Sequence, residues 1–356
     1  MKKINIKKDT RNDLLTYLCV IVAFVILTIL TNAKVLGRAQ TALLVPICCY
    51  IVAALGLNMC VGILGELSLG HAGFMSVGTF IGIIVSQSLA SSIPDGTVRL
   101  ILAIIIGAIF AAVVGFIIGI PVLRLNGDYL AIVTLAFGEI IKDLINCLIV
   151  GVDENGLHVV FNAAGTKTVA DLGLSENGKA IIQGAQGAVG TEKLSTFLGG
   201  IILVLIALAI VLNFKRSRTG RAVMAIRDNR IAAESSGINI TKYKMIAFVI
   251  SAAIAGAAGA LYGLNLSSVV ATKFNFNTSI LLLVYVVLGG LGNMRGTLIA
   301  TTILYALPEL LRAFSDYRML VYAIVLIIVM IGTNNEKVKQ LFLKIIPKRN
   351  KNKEVS

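Results

Sequence analysis

The chain has 356 residues, of which 57% are apolar and only 14% charged, with 34 glycines and 5 prolines. A soluble domain of this length cannot hide so much apolar surface, and the same composition excludes a disordered chain, a coiled coil, collagen and a disulfide scaffold. The net charge of +14 is concentrated in 1–13, 215–244 and 334–356, which hold 20 of the 32 basic residues without the interleaved aromatics of a base-stacking platform; nucleic acid is excluded as a partner, and a polytopic helical membrane protein remains.

Windowed hydropathy predicts spans at 14–30, 41–61, 71–90, 100–121, 129–150, 196–214, 244–263, 279–291, 297–312 and 318–333. The fold class is therefore all-α, a polytopic membrane protein with about ten transmembrane helices including broken or re-entrant segments. One transmembrane domain, 14–333, lies between a basic N-terminus, 1–13, and a basic tail, 334–356. The first apolar run is longer than a leader's and no A-x-A site follows, so it is read as a retained helix. With the N-terminus inside, the inner segments carry 22 basic residues and the outer ones 6, the asymmetry of the positive-inside rule. Both termini and the loop 215–243 are then expected in the cytoplasm, and the acidic, Gly-rich loop 151–195 outside. That outer loop is too short and too polar for an independent domain. The span 279–291 is short for a ~30 Å core; it either crosses or pairs with 297–312 as a re-entrant hairpin.

Polar residues inside this frame mark candidate sites. The stretch Gly62–Gly73 interrupts two apolar runs with four glycines, Glu66, Ser68 and His71. Broken helices of this kind form substrate sites in transporters, while a plain cytoplasmic turn is the simpler reading. Ser68 and His71 share a helical spacing, but without G-x-S-x-G a hydrolase is not supported. In Asp128–Asp143, Glu139 falls about ten residues into its span, or ~15 Å, where a charge costs about 2.5–3.5 kcal/mol. It must face the protein interior or water, with Thr134 and Gly138 roughly on its face; a structural pair with Lys142 is the competing reading. Cys19, Cys48, Cys49, Cys60 and Cys147 lie in apolar runs without a CxxC, so no disulfide or zinc site is expected. Gly173–Ala180 is one residue short of a P-loop and lacks the magnesium-binding hydroxyl. Close helix packing is signalled by G-x-x-x-G at Gly78/Gly82, Gly115/Gly119, Gly259/Gly263 and Gly292/Gly296. In the inner loop, Ala222, Ala225, Ile226, Asn229 and Ala233 are spaced for one short helix.

The segment Gly220–Asn239 resembles the coupling segment of ABC importer permeases, Glu-Ala-Ala, three residues, then Gly. Ala232, Ala233 and Gly237 match, and Ile231 stands in place of the Glu. With LNMCVGILGELSLGHAGF (57–74), DYLAIVTLAFGEIIK (128–142), KMIAFVISAAIAGAAGALYG (244–263) and VVLGGLGNMRGT (286–297), the chain resembles the LivM-type permease subunit of branched-chain amino acid ABC importers. One departure is that GVDENGLHVVFNAAG (151–165) lacks the Gly-Ile-Pro usual there. The resemblance implies a non-enzymatic transport subunit in a prokaryotic plasma (inner) membrane, forming half of a path for leucine, isoleucine, valine or related small amino acids. Its implied partners are a second permease, two cytoplasmic ATPases, an extracytoplasmic binding protein and membrane lipid. ATP and magnesium would sit on the ATPases, with no cofactor on this chain. A permease for urea or short amides, or an ion-coupled carrier, is the alternative. Candidate path residues are Glu66, Ser68, His71, Thr134, Gly138 and Glu139. The coupling loop would use Ala225, Ile226, Arg227, Asp228, Asn229, Ala232, Ala233 and Gly237, with Arg227 and Asp228 at the docking rim, and would pass movement to 196–214 and 244–263.

Overall fold

Apolar runs predicted to cross a membrane fold as helices over most of their length in the computed structural model, which describes residues 8–311 apart from 36, 126, 155, 163, 164, 176 and 177, together with 320, 323, 324 and 327. The predicted span 318–333 and the tail 334–356 lie outside the described residues except for those four positions. The helices are α1 (Lys8–Asn32), α2 (Arg38–Asn58), α3 (His71–Ser88), α4 (Gly96–Val122), α5 (Asp128–Asn146), α6 (Phe197–Arg216), α7 (Arg218–Asp228), α8 (Arg230–Ser235), α9 (Ile240–Gly263), α10 (Phe276–Gly289) and α11 (Met294–Leu310). One compact unit ends at Thr302, and a second begins at Ile303 with the remainder of α11. Four apolar segments among the described residues are long enough for a crossing: Arg38–Leu64, Gly96–Val122, Phe197–Arg216 and Ile240–Gly263. A count of ten crossings is not confirmed among the described residues, where α10 has 14 residues, short of the ~20 that a full span needs.

Local chemistry sets the helix starts. The side chains of Asp95, Thr196, Asn239 and Asn275 each accept a hydrogen bond from a first-turn N–H of α4, α6, α9 and α10. At its far end α2 widens into a π-helix over Met59–Leu64, which Gly65 closes at φ +82°. An L side chain rarely adopts that conformation, so glycine is required there. Residues 65–70 are then non-helical before α3 begins.

The core lies where α3, α4 and α9 pack on one another, with α2 against α9. Glycine permits that approach: a Cβ at Gly82 would lie 2.8 Å from Ala260 Cβ, and one at Gly115 would lie 2.6 Å from Ala252 Cβ. Buried hydroxyls tie the same helices together, Thr79 Oγ1 donating to Gly259 O at 2.8 Å and Ser251 Oγ to Gly56 O at 2.7 Å. By contrast α4 turns Ile101, Ile105, Ile109, Val113, Phe116 and Ile120 outward. A one-sided apolar stripe of that length suits lipid and not water.

The 151–195 loop corrects the all-α expectation. Strands β1 (Leu148–Asp153), β2 (Gly156–Phe161), β3 (Lys179–Gln183), β4 (Ala188–Val189) and β5 (Ser268–Val269) form one sheet in the order β2-β1-β3-β4-β5. The β1–β2 hairpin pairs Val150 with Val159, and β4 pairs with β5 through Ala188 and Val269. Leu148–Val150, predicted to complete the fifth span, opens β1 instead. The β-branched residues at 149, 150, 159 and 160 favour extended backbone. Because β5 follows α9, the segments 151–195 and 264–278 meet at one end of the bundle. The other end of α9 carries α7 and α8.

Candidate functional site

The predicted path residues separate into two neighbourhoods. Glu66, just past the π-helix, forms an ion pair with Lys244 in the first turns of α9, and both side chains are largely buried. It is therefore anchored at the α7 end of the bundle, far along the chain from Glu139 and not in contact with it.

The second neighbourhood forms where residues 69–73 press on α5. Leu69 N–H donates to Thr134 Oγ1 at 3.1 Å, and a Cβ at Gly138 would lie 3.0 Å from Gly70 Cα. A side chain at 138 would crowd the backbone of Gly70. Ala72 N–H, in the first turn of α3, donates to Ser279 Oγ of α10 at 3.1 Å. Glu139 is paired with Lys142 and also accepts from Phe276 N–H, the first residue of α10, at 2.9 Å. The N-termini of α3 and α10 thus both abut α5, the arrangement of discontinuous helices in transporter sites. The positive end of the α10 dipole favours a carboxylate at that position. The Lys142 pair, one of the two readings of Glu139, is present.

Ser68 is 0% exposed and His71 1%, so both are enclosed by protein. His71 sits between α2 and α9: a Cβ at Gly56 would lie 3.3 Å from its Nε2. Neither Ser68 Oγ nor His71 Nε2 has a hydrogen-bond partner, so they form no nucleophile–base pair. Among the described residues no group of three His, Cys, Asp or Glu could hold a metal.

The coupling segment is two helices and not one. Asn229 breaks from helical geometry at φ −155°, ψ 103°, and its Oδ1 accepts from Ala232 N–H at 3.0 Å to start α8. Asparagine competes with a continuous helix in this way. Gly237 ends α8 at φ +79°, with Ile238 N–H returning to Ala233 O at 3.1 Å, as a Schellman closure requires. The residues expected to dock differ in burial. Ala233 is buried with Ile226 and Ile240 in a small core against Ile238 and Tyr243, whereas Ala225 and Ala232 are exposed and Ile231 is 78% exposed. Arg227 and Asp228 are both exposed, and Arg227 also reaches the bundle: its Nη1 donates to Gly62 O at 2.8 Å while Nε and Nη2 hold Asp228 Oδ1.

Several residues escaped the sequence reading. Asn58, fully buried, accepts from Gly292 N–H at 2.8 Å and donates to Thr297 Oγ1 at 2.6 Å. Lys215 Nζ donates to Gly292 O at 3.1 Å. A lone Asn in an apolar run was the only available signal for the first; nothing local marked the second.

Residues 39–330 match the family model described as "Branched-chain amino acid transport system / permease component". The chain is 34% identical over 289 residues to the high-affinity branched-chain amino acid transport system permease protein LivM of Escherichia coli (strain K12), covering 79% of this chain and 66% of that protein. It is 27% identical to LivH of Salmonella typhimurium, covering 79% and 88%, and 28% identical to a probable LivM of Methanocaldococcus jannaschii, covering 66% and 64%. The match thus spans just under two thirds of these LivM relatives' length. No solved structure matches the chain.

Proposed function

Because the chain belongs to the branched-chain amino acid transport system / permease component family, we propose that it is a transmembrane permease subunit of a binding-protein-dependent ABC importer. It forms half of a path for leucine, isoleucine, valine or a related small amino acid. The observation that carries this reading is the family match over 39–330, together with an exposed α7–α8 surface at the end of the bundle opposite the sheet. In this reading a second permease completes the path, and two ATPases, which hold the ATP and magnesium, dock on the α7–α8 end. An extracytoplasmic binding protein delivers substrate to the sheet end. The chain itself binds no cofactor and catalyses no reaction. Both termini face the cytoplasm of a prokaryotic plasma membrane.

Transport requires that residues along the path change neighbours, and the α3–α5–α10 junction supplies such a place. Thr134, Gly138 and Glu139 meet the starts of two helices there, and Glu139 supplies a charge where water must reach. The carboxylates of the two neighbourhoods each face a lysine, so they are charge-compensated in this state. The test is uptake of radiolabelled leucine, isoleucine and valine by liposomes holding the complete importer, with ATP inside the appropriate compartment. Saturable, ATP-dependent uptake of one of them, competed by the others, supports the reading. Uptake of urea or short amides in their place overturns the substrate assignment, and uptake driven by an ion gradient without ATP overturns the importer class.

A further inference from the structure

Two turns of backbone at the α7 end lack helical partners for their carbonyls. Gly62 lies within the π-helix that ends at Leu64, so its C=O is among the last of the helix and needs a donor from elsewhere. Gly292, at φ +74°, lies in the turn between α10 and α11. The two backbones touch, since a Cβ on Gly62 would lie 2.8 Å from Gly292 Cα. Asn58 pins the contact from inside through Gly292 N–H and Thr297.

Two basic side chains, one on α7 and one at the end of α6, supply both missing donors. Arg227, in the last turn of α7, donates from Nη1 to Gly62 O at 2.8 Å, and Lys215, at the end of α6, donates to Gly292 O at 3.1 Å. The stem of Arg227 also lies across Gly65, where an added Cβ would be 2.5 Å from Arg227 Cγ. Asp228 fixes the other two guanidinium nitrogens, so the group is held as a rigid fork. From Gly65 the chain runs only as far as Leu69 before it bonds to Thr134, and Ala72 then bonds to Ser279.

We infer that Arg227 and Lys215 are positioning residues that grip the backbone of two helix interruptions, so that displacement of α7 moves the 62–70 segment directly. This rests on the proposed docking of ATPases at α7 and α8. It differs from transmission through the backbone continuity of α6 and α9 alone, which would survive loss of either side chain; Lys215, although at the end of α6, acts here through its bond to Gly292. The route runs from α7 to Gly62, through the interruption, to α5 and the start of α10.

The experiment uses the complete importer in liposomes, with the native cysteines replaced and Leu67→Cys, an exposed site within the interruption, reacted with a maleimide. Its labelling rate is measured with ADP and with ATP plus vanadate. The unmodified coupling segment should give a nucleotide-dependent rate. Arg227→Ala should abolish that dependence while the ATPases still co-purify, and uptake per ATP hydrolysed should fall about tenfold, the scale of one lost charge-assisted hydrogen bond. Lys215→Met should act in the same direction, and Arg227→Lys should recover part of the dependence. A merely structural contact would change stability but leave the nucleotide difference in labelling. If that difference persists in both Arg227→Ala and Lys215→Met, or is absent before either change, the inference is overturned. Loss of the ATPases in Arg227→Ala would make the residue a docking contact and overturn it too. Failure of the unmodified complex to bind any ATPase would instead remove the proposed function beneath it.

Discussion

Lys244 is 4% exposed, and its charge is met by Glu66 from a segment 178 positions away in the sequence. Glu66→Gln removes the counter-charge and leaves the ammonium buried, which costs about 3–5 kcal/mol. The variant should therefore lower the temperature at which the detergent-solubilised complex loses its monodisperse elution profile. Glu66→Gln with Lys244→Met should recover most of the loss, because neither partner is then charged; an unchanged single variant would sink the argument. Glu139 calls for a different expectation. It is a third exposed and keeps the Phe276 N–H bond if replaced by Gln, so Glu139→Gln should cost no more than about 1 kcal/mol of stability. Its effect belongs to transport. Uptake should fall severalfold with the complex intact, and normal uptake by both Gln and Ala variants would leave the residue a structural pair only.

Among the elements, α7 and α8 divide an exposed outer face from a small buried core. Ala232 and Ile231 face outward, and Ala233 faces the small core with Ile226 and Ile240. Ala232→Trp adds bulk on the outer face without altering charge, so it should reduce the ATPase recovered per permease about tenfold, equivalent to ~1.4 kcal/mol of binding, while insertion is unaffected. Ala233→Trp should instead overpack the small core at about 1–3 kcal/mol, loosening α8 before any partner is met. Equal pull-down for Ala232→Trp and the parent would place the docking surface elsewhere. The sequence supported the long helices because an apolar run of twenty residues has few alternatives, and it supported Gly237 because a helix end of this kind calls for αL backbone. It did not show that Asn229 divides the coupling helix, since asparagine is tolerated within helices and caps them equally well in isolation. Nor did it show the sheet: β4 and β5 are two residues each, and β5 joins only through its pairing with β4, about 80 positions away. The Glu66–Lys244 and Arg227–Gly62 contacts were hidden for the same reason, being properties of tertiary approach rather than of local pattern.

At the scale of the whole molecule, the structure sorts the connecting segments into two sets without any reference to a membrane. Glu192 reaches Arg99 at 2.8 Å, Lys179 reaches Gln87 at 3.3 Å and β4 pairs with β5, so 86–99, 148–195 and 261–274 share one end. Gly62, Lys215, Arg227, Lys244 and Gly292 share the other. Segments 91–97, 151–195 and 264–278 from the expected outer set thus share one end, and 62–70, 215–244 and 292–296 from the expected inner set share the other, the latter holding more basic residues. In the proposed orientation the basic set lies in the cytoplasm, as the positive-inside rule expects of Lys and Arg flanking spans. The sheet end should face outward. Thr166→Cys and Glu234→Cys, both exposed positions, are introduced separately after replacement of Cys19, Cys48, Cys49, Cys60 and Cys147 by alanine. An impermeant maleimide added to intact cells should label residue 166 and spare residue 234, and permeabilisation should make 234 reactive. The permeabilised sample separates an inward-facing site from one covered by a bound partner when ATPases are omitted from the strain. Labelling of 234 but not 166 in intact cells would invert the molecule, place the α7–α8 surface where no cytoplasmic ATPase could reach it, and remove the basis for ATP-driven transport.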